Sequence, residues 1–179
     1  DVVSCRRVAD TLQETREALL QASSADFVLT SGGVSVGEED HVRAVVTELG
    51  ALDLWKVRMK PGKPLAFGRV GDTPFMGLPG NPAVVLVTFL VFTLPALRRR
   101  QGRRACESAV WRAPAGFSTK QPGKRREFFR VRLASGDEGR PVLQVHPHQG
   151  SGVLSSAAWA SGLAVIPENQ IIRPGDLLD

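Results

Sequence analysis

The chain runs Ala25-Asp26-Phe27-Val28-Leu29-Thr30 and then directly Ser31-Gly32-Gly33-Val34-Ser35-Val36-Gly37, an apolar run followed by a glycine-rich loop. A helix is predicted next, over 38–49, with Gly50 ending it. This order of strand, loop and helix is typical of open α/β sheets, which bind ligands at the carboxyl ends of their strands. Glycines allow positive φ and a close approach of backbone amides, and a helix N-terminus favours an anion. The alternative is a tight turn whose acidic run 38–40 complements the helix dipole.

Two further motifs also lie where apolar runs end. They are Met59-Lys60-Pro61-Gly62-Lys63-Pro64 and Leu78-Pro79-Gly80-Asn81-Pro82. In the second motif, Asn81 as a cap and Pro82 at the first helical position predict a helix start. We also expect Lys56, Arg58 and Lys60 to share one face of a strand over 52–59 and to bind an anion there. The three motifs together favour a phosphorylated or otherwise anionic substrate, with a metal ion.

The rest of the chain predicts an α/β half followed by a β-rich half. A helix from Asp10 or Thr11 to about residue 22, strands over 64–70 and 75–78, and a long apolar helix over 82–97 predict a mostly parallel, doubly wound sheet. The pattern changes at the arginine-rich run 98–104. Beyond it, short β-type runs at 127–134, 141–146 and 162–167 predict a small all-β domain. We place the two domains at 1–103 and 104–179.

Composition narrows the class of partner. The 179 residues carry a net charge of +5, which favours anionic partners. Nucleic acid is not expected, because aromatic residues make up only 6% and no recognition motif is present. No membrane partner is expected either, since the longest uncharged run, 82–97, is shorter than the roughly 20 residues of a bilayer span. Cys5 and Cys106 lack metal or redox spacing, which predicts a reduced, cytoplasmic setting.

Five motifs together resemble the molybdopterin molybdenumtransferase family, whose members include bacterial MoeA and the E domain of gephyrin. In the family's order, they lie at 30–40, 59–64, 78–82, 125–130 (Arg-Arg-Glu-Phe-Phe-Arg) and 148–151 (His-Gln-Gly-Ser). The resemblance implies the later part of the family's molybdopterin-binding α/β domain, lacking its first strand and helix, followed by the C-terminal β-domain. In the family, the active site lies between this α/β domain and an upstream domain of the partner subunit in a homodimer. We therefore expect a fragment that is inactive alone.

The resemblance also implies the reaction and its residues. Adenylated molybdopterin and molybdate are the substrates, Mg²⁺ helps to cleave the pyrophosphate link, and AMP leaves as molybdenum is inserted. The catalytic residues by motif matching are Asp40, Ser35, Lys60 and Lys56, with Asp40 as the metal ligand. The substrate-binding residues are Ser31, Gly32, Gly33, Lys63, Pro61, Pro79, Asn81, Pro82, Asp10, Arg125 and Ser151.

Two of these matches have alternatives. Molybdate would contact Lys60, Arg125 and Ser151, but Arg126 lies beside Arg125 and could take its place. In the direct alignment, Ala9 occupies the position of the family's aspartate. Asp10 matches that aspartate only if the loop shifts by about one residue.

Two other functions are compatible with parts of the sequence. The related molybdopterin adenylyltransferases share the α/β fold and the Ser-Gly-Gly loop, but they do not need a β-domain that carries Arg125 and Ser151. A gephyrin-like scaffold module would bind a peptide of a partner protein. No residue pattern in this sequence identifies a groove for such a peptide.

Overall fold

The computed structural model describes residues 1–34, 41–136 and 139–179, apart from the side chain of Trp55. In chain order the elements are α1 (Leu12–Ala22), β1 (Val28–Ser31), α2 (His41–Leu49), β2 (Gly50–Lys56), β3 (Met59–Lys60), β4 (Pro64–Val70), β5 (Thr73–Leu78), α3 (Pro82–Thr88), a π-helical segment (Phe89–Thr93), α4 (Leu94–Arg100), β6 (Ala113–Pro114), β7 (Arg126–Ser135), β8 (Pro141–Val145), α5 (Ser155–Trp159), β9 (Gly162–Ile166) and β10 (Leu177–Leu178).

The first sheet has the strand order β1-β5-β4-β2 and carries helices on both faces. On β5, Phe75 is fully buried in a core shared with Leu19 of α1 and Val45 of α2. The next residue, Met76, lies in a separate core with Val85 of α3. Successive residues of a strand point to opposite faces, so helix packing on both faces follows from the alternation of apolar side chains. The α/β class with helices on both sides of the sheet is therefore confirmed.

The expectation of mostly parallel pairing needs correction. Among the described strands of this sheet, β1 and β5 pair in parallel, whereas β4 pairs antiparallel with both β5 and β2. The physical reason is the length of the connections. Two residues join β4 to β5, and seven join β2 to β4, while a parallel connection needs a crossover of a dozen or more residues.

The second sheet contains β3, β7 and β8 in that order, and β9 pairs with β7. Strands β7 and β8 pair antiparallel and lie where the first two β-type runs were expected, and β9 lies where the third was expected. Phe117, Phe129, Val131 and Ile166 belong to the core of this half. The second half is thus β-rich, as predicted, although α5 and the short pair β6–β10 were not predicted.

The predicted cationic strand face was wrong, because the chain changes sheets within it. Strand β2 ends at Lys56, and β3 pairs in parallel with Arg126 and Glu127 of the second sheet. The intervening Arg58 donates a hydrogen bond to the carbonyl of Lys124 (3.2 Å). Two register irregularities in β2, on either side of Leu54, precede the change. Residues from both halves of the chain therefore build the second sheet.

The long apolar helix runs from Pro82 to Arg100 and contains the π-helical segment. This wider turn lies just before Pro95, which has no N–H to donate to the preceding helical turn. The run spans 19 residues with a mean hydropathy of 1.5, so by length and composition it could cross a membrane. Only 28% of this run is buried. The helix that was expected to be buried is therefore buried along one side only. There, Thr93 is fully buried and its hydroxyl contacts the sulfur of Met76 at 2.9 Å.

Candidate functional site

A cleft of about 690 Å³ lies at the carboxyl ends of β1 and β5 and is lined by both halves of the chain. Its volume falls within the range of about 300–1,000 Å³ that is usual for small-molecule sites. The lining residues come from five segments of the chain: Gly32, Gly33, Val34, Lys60, Pro61, Gly62, Pro64, Pro79, Gly80, Asn81, Val84, Arg125, Gln149, Gly150 and Ser151. The cleft thus joins the three motifs of the first half to two motifs of the second.

The loops after β1 and β5 form one wall of the cleft. Gly32 and Gly33 have φ values of 89° and 68°, as the glycine-rich loop predicts. The N–H of Gly32 donates to the carbonyl of Leu78 (3.0 Å), so the ladder between the strands continues into the loop. The hydroxyl of Ser31 points to the carbonyl of Pro79 (3.5 Å). The two loops therefore hold each other at the edge of the sheet.

Asn81 begins the helix that faces the cleft, as predicted. Its side-chain oxygen accepts hydrogen bonds from the N–H groups of Ala83 (3.1 Å) and Val84 (3.3 Å). Pro82, at the first helical position, has no N–H. The cap thus uses the N–H groups of Ala83 and Val84. The helix contributes the positive end of its dipole.

We expect substitutions at Asn81 to separate stability from anion binding. Asn81→Ala removes the cap and should lower the free energy of unfolding by about 1 kcal/mol. Asn81→Asp keeps the cap but places a carboxylate in the cleft, so stability should hold while the affinity for molybdate falls. Chemical denaturation and isothermal titration calorimetry on the complete protein measure the two effects. Unchanged molybdate affinity in Asn81→Asp would show that the anion does not bind near this helix.

Two cations reach the cleft from opposite halves of the chain. The ammonium of Lys60 lies 3.1 Å from a carboxylate oxygen of Glu127, and the Lys60 side chain is 54% exposed while that of Glu127 is 15% exposed. The guanidinium of Arg125 donates to the carbonyl of Met59 (3.1 Å), the residue before Lys60. No carboxylate occurs among the described residues that line the main cleft. Its charged lining is therefore cationic, which suits an anionic ligand.

The turn after Lys60 packs against the helix. Gly62 has a φ of 112°, and a Cβ atom there would lie 2.5 Å from the Cγ2 methyl of Thr88 in α3. Only glycine adopts this backbone conformation without strain and leaves room for the methyl. The fixed turn holds Lys60 and Pro61 at the edge of the cleft.

Gly62→Ala is expected to lower the free energy of unfolding by about 1–3 kcal/mol, since it combines backbone strain with a steric clash. Gly71→Ala is the matched control. Gly71 also has a positive φ (57°), but nothing lies within 4 Å of its added Cβ. Urea denaturation of both variants measures the difference. An equal loss of stability in the two would mean that the packing of Gly62 against α3 contributes nothing.

The loop of residues 148–151 closes the cleft from the second half. Gln149, Gly150 and Ser151 line it. The side-chain amide of Gln149 accepts from the N–H of Arg130 (2.9 Å) and donates to the Arg130 carbonyl (3.0 Å). An adjoining pocket of about 220 Å³ lies against Lys60, Glu127, Phe128 and Gln149, among others. The described residues thus form a main cleft with a cationic charged lining and a smaller pocket beside it.

The structure brings together eight of the predicted site residues at the cleft. The eight are Gly32, Gly33, Lys60, Pro61, Pro79, Asn81, Arg125 and Ser151. Ser31, Lys56, Lys63, Pro82 and Asp10 are not among its described lining residues. Ser35 and Asp40 lie outside the described residues.

Several predicted residues that do not line the cleft have other surroundings. Lys56 pairs in register with Pro64, which does line the cleft. Asp10 is exposed and precedes Thr11, whose side chain caps α1 by accepting from the N–H of Glu14 (3.3 Å). Arg126, the alternative to Arg125, pairs with Glu168 (3.4 Å) on the surface. Of the two arginines, the described cleft contains Arg125.

Sequence reasoning missed three residues that shape the site: Glu127, Arg130 and Gln149. All three lie inside motifs that the family resemblance matched, at 125–130 and 148–151. Their position inside these matched motifs was the signal in the sequence that could have identified them. Their roles depend on contacts between the two motifs, which are far apart along the chain.

A magnesium site cannot be built from the described residues alone. Within 1–34, 41–136 and 139–179, no group of three or more His, Cys, Asp or Glu side chains could hold a metal ion. Asp40, the predicted ligand, lies outside these ranges. Both cysteines are free thiols.

Comparison with known protein families gives two matches. A family described as a probable molybdopterin binding domain matches residues 1–99, and one described as the MoeA C-terminal region (domain IV) matches residues 112–179. A molybdopterin molybdenumtransferase of Haemophilus influenzae is 34% identical over 177 residues, which are 95% of this chain and 43% of that protein. The molybdenum cofactor synthesis protein cinnamon of Drosophila melanogaster is 37% identical over 173 residues, 93% of this chain and 28% of that protein.

The fold is also similar to solved structures. A molybdopterin biosynthesis MoeA protein from Pyrococcus horikoshii matches with a TM-score of 0.70 and 28% identity, over 96% of this chain and 41% of that one. The chain therefore spans less than half the length of these relatives, and nearly all of it is matched.

Proposed function

The chain belongs to the MoeA family, and we propose that it forms one wall of the active site of a molybdopterin molybdenumtransferase. In this proposal the complete protein inserts molybdate into adenylated molybdopterin and releases AMP. The cleft binds both anions, with molybdate at Lys60, Arg125 and Ser151. The loops after β1 and β5, together with the helix N-terminus, face the phosphorylated substrate.

One observation carries the proposal. Lys60, Arg125 and Ser151 belong to three separate motifs, yet they line a single cleft whose described lining has no carboxylate. Molybdate is a dianion that must approach a negatively charged pyrophosphate, so the reaction requires cations and oriented dipoles to offset the repulsion. Lys60 and Arg125 supply charge, and the hydroxyl of Ser151 supplies a hydrogen bond.

The proposal includes Mg²⁺ only as a metal ion that Asp40 would bind. The metal, when bound, would polarise phosphoryl oxygens and stabilise the leaving AMP. The described residues offer no ligand cluster of their own, and the roles proposed for Lys60, Arg125 and Ser151 rest on charge and hydrogen bonding.

We further propose that the complete protein is a homodimer and that it is located in the cytoplasm. The homodimer rests on family membership alone. The location rests on the free thiols of Cys5 and Cys106, because a reducing compartment keeps thiols unpaired.

The test is AMP release from adenylated molybdopterin by the complete protein, with and without molybdate. We expect one AMP per molybdenum inserted and little release without molybdate. AMP release at the same rate with and without molybdate would contradict the transferase proposal. Formation of adenylated molybdopterin from ATP and molybdopterin would instead identify an adenylyltransferase, which does not require Arg125 or Ser151.

A further inference from the structure

Arg130 is a buried cation in the middle of β7, with only 1% of its surface exposed. Its guanidinium makes three hydrogen bonds, all to neutral oxygens. The Nε atom donates to the hydroxyl of Ser156 (2.8 Å), and Nη2 donates to the carbonyls of His148 (3.3 Å) and Gly150 (3.1 Å). Two of the three acceptors therefore belong to the loop that lines the cleft.

The main chain of Arg130 holds the same loop. Its N–H and carbonyl form a pair of hydrogen bonds with the side-chain amide of Gln149, and its carbonyl also accepts from the N–H of His146 (3.1 Å). The backbone and side chain of Arg130 thus contact every residue of the segment 146–150 except Pro147. Gly150 is the last of them, directly before Ser151.

The charge of Arg130 has no counter-ion among the described residues. None of the ion pairs in that part of the chain includes it, and its Nη1 atom is buried without a hydrogen-bond partner. Burial lowers the pKa of the guanidinium. Burying an unpaired charge is costly, and a hydrophobic side chain of similar size would fill the same space without that cost. The chain therefore keeps a charged group where packing alone does not require one.

We propose that Arg130 is the positioning residue of the molybdate site: its guanidinium fixes loop 148–151 so that Gly150 and Ser151 face Lys60 and Arg125 across the cleft. This inference rests on the proposed function. Arg130 does not line the cleft, and it acts on the anion through the loop. Its positive charge also lies beneath that loop, where it favours an anion on the other side.

Arginine suits this role better than lysine. A guanidinium presents several N–H donors in a fixed plane and can bind the hydroxyl of Ser156 and the two loop carbonyls together. A lysine ammonium is a single compact donor group and would reach only part of this set. The conservative variant Arg130→Lys should therefore rescue the site in part.

The test compares molybdate and AMP binding in the complete protein with Arg130 replaced. Arg130→Met keeps the volume and removes the donors. Arg126→Met is the matched control, since Arg126 lies on the same strand and its guanidinium pairs with the surface carboxylate of Glu168. For Arg130→Met we expect the dissociation constant for molybdate to rise at least about tenfold, with AMP affinity unchanged within about twofold. Arg126→Met should change neither.

A crystal structure of ligand-free Arg130→Met gives a second readout. We expect loop 148–151 to be displaced or to lose its density, with β7 and β9 unmoved. An unmoved loop, or equal losses of molybdate and AMP affinity, would overturn the inference, because a general loss of structure affects both ligands. If the unaltered protein binds no molybdate, the proposed function fails, and the loop position alone then decides the role of Arg130.

Should Arg130→Met fail to fold, Arg130→Lys and Ser156→Ala carry the test. Ser156→Ala leaves the guanidinium in place and removes the acceptor of Nε, together with the hydrogen bond that the hydroxyl donates to the carbonyl of Val153. We expect both to weaken molybdate binding without affecting AMP, and Arg130→Lys to have the larger effect. Molybdate affinity equal to that of the unaltered protein in both variants would overturn the inference.

Discussion

Replacing Arg125 with alanine is expected to weaken molybdate binding by the complete protein about 10- to 150-fold. This range corresponds to the loss of one hydrogen bond to a charged group, about 1.5–3 kcal/mol. Arg125 is half-buried beside Lys60, and its guanidinium is oriented by the carbonyl of Met59. The orientation means that little side-chain entropy is lost when the anion binds.

The neighbouring arginine provides the control for this prediction. Arg126 has the same charge and follows Arg125 directly, as the first residue of β7, but it pairs with Glu168 and does not belong to the described cleft lining. Arg126→Ala should leave the dissociation constant for molybdate within about twofold, since a partly exposed ion pair contributes little. Isothermal titration calorimetry measures both variants. A larger loss in Arg126→Ala than in Arg125→Ala would reverse the assignment.

Replacing Lys60 with alanine is expected to reduce the rate of molybdate-dependent AMP release by about 10²–10³-fold, the usual effect of removing one group that stabilises developing charge. Two effects combine in this variant. The cleft loses a cation, and the carboxylate of Glu127, 3.1 Å from the ammonium in the unaltered protein, is left without its counter-charge. That carboxylate then repels both anionic substrates.

A double variant separates the two effects. In Lys60→Ala/Glu127→Gln the repelling carboxylate is gone, so part of the lost rate should return. Lys120→Ala, which removes an exposed lysine that is not among the described cleft residues, should match the unaltered protein. Single-turnover AMP release measures all of these variants. A rate for Lys60→Ala within about threefold of that of Lys120→Ala would show that Lys60 has no part in the reaction.

The sequence predicted the local features of the site well, because each depends on a few neighbouring residues. Asn81 and Pro82 encode the helix start through capping, and Gly32 and Gly33 encode the turn after β1 through their positive φ. The hairpins β4–β5 and β7–β8 follow from alternating apolar residues around turn sequences. These elements place two of the cleft's walls without reference to the rest of the chain.

The features that the sequence did not predict depend on contacts between distant segments. Strand β3 has two residues, too few for any periodic signal, and it exists because Met59 and Lys60 pair with residues 126 and 127. The assumption of one continuous strand over 52–59 therefore placed Arg58 in a strand, although it lies between β2 and β3, and placed Lys60 on the wrong sheet. Arg130 could not be assigned a role for a similar reason, since its partners lie 18 to 26 positions farther along the chain.

The choice between Arg125 and Arg126 also required the structure. The two arginines are adjacent and carry the same charge, so the sequence does not say which of them faces the cleft. The register of β3 against β7 decides this, because Met59 lies opposite Arg126 and offers its carbonyl to the guanidinium of Arg125.

We propose that Lys60, Arg125 and Ser151 form one oxyanion site. Anomalous scattering from crystals of the complete protein soaked in tungstate, a heavier analogue of molybdate, locates the bound anion directly. We expect an anomalous peak within hydrogen-bond distance of these three side chains, and the loss of this peak in Arg125→Ala. A peak confined to other cationic surfaces, such as the arginine-rich run 98–104, with none in the cleft, would contradict it.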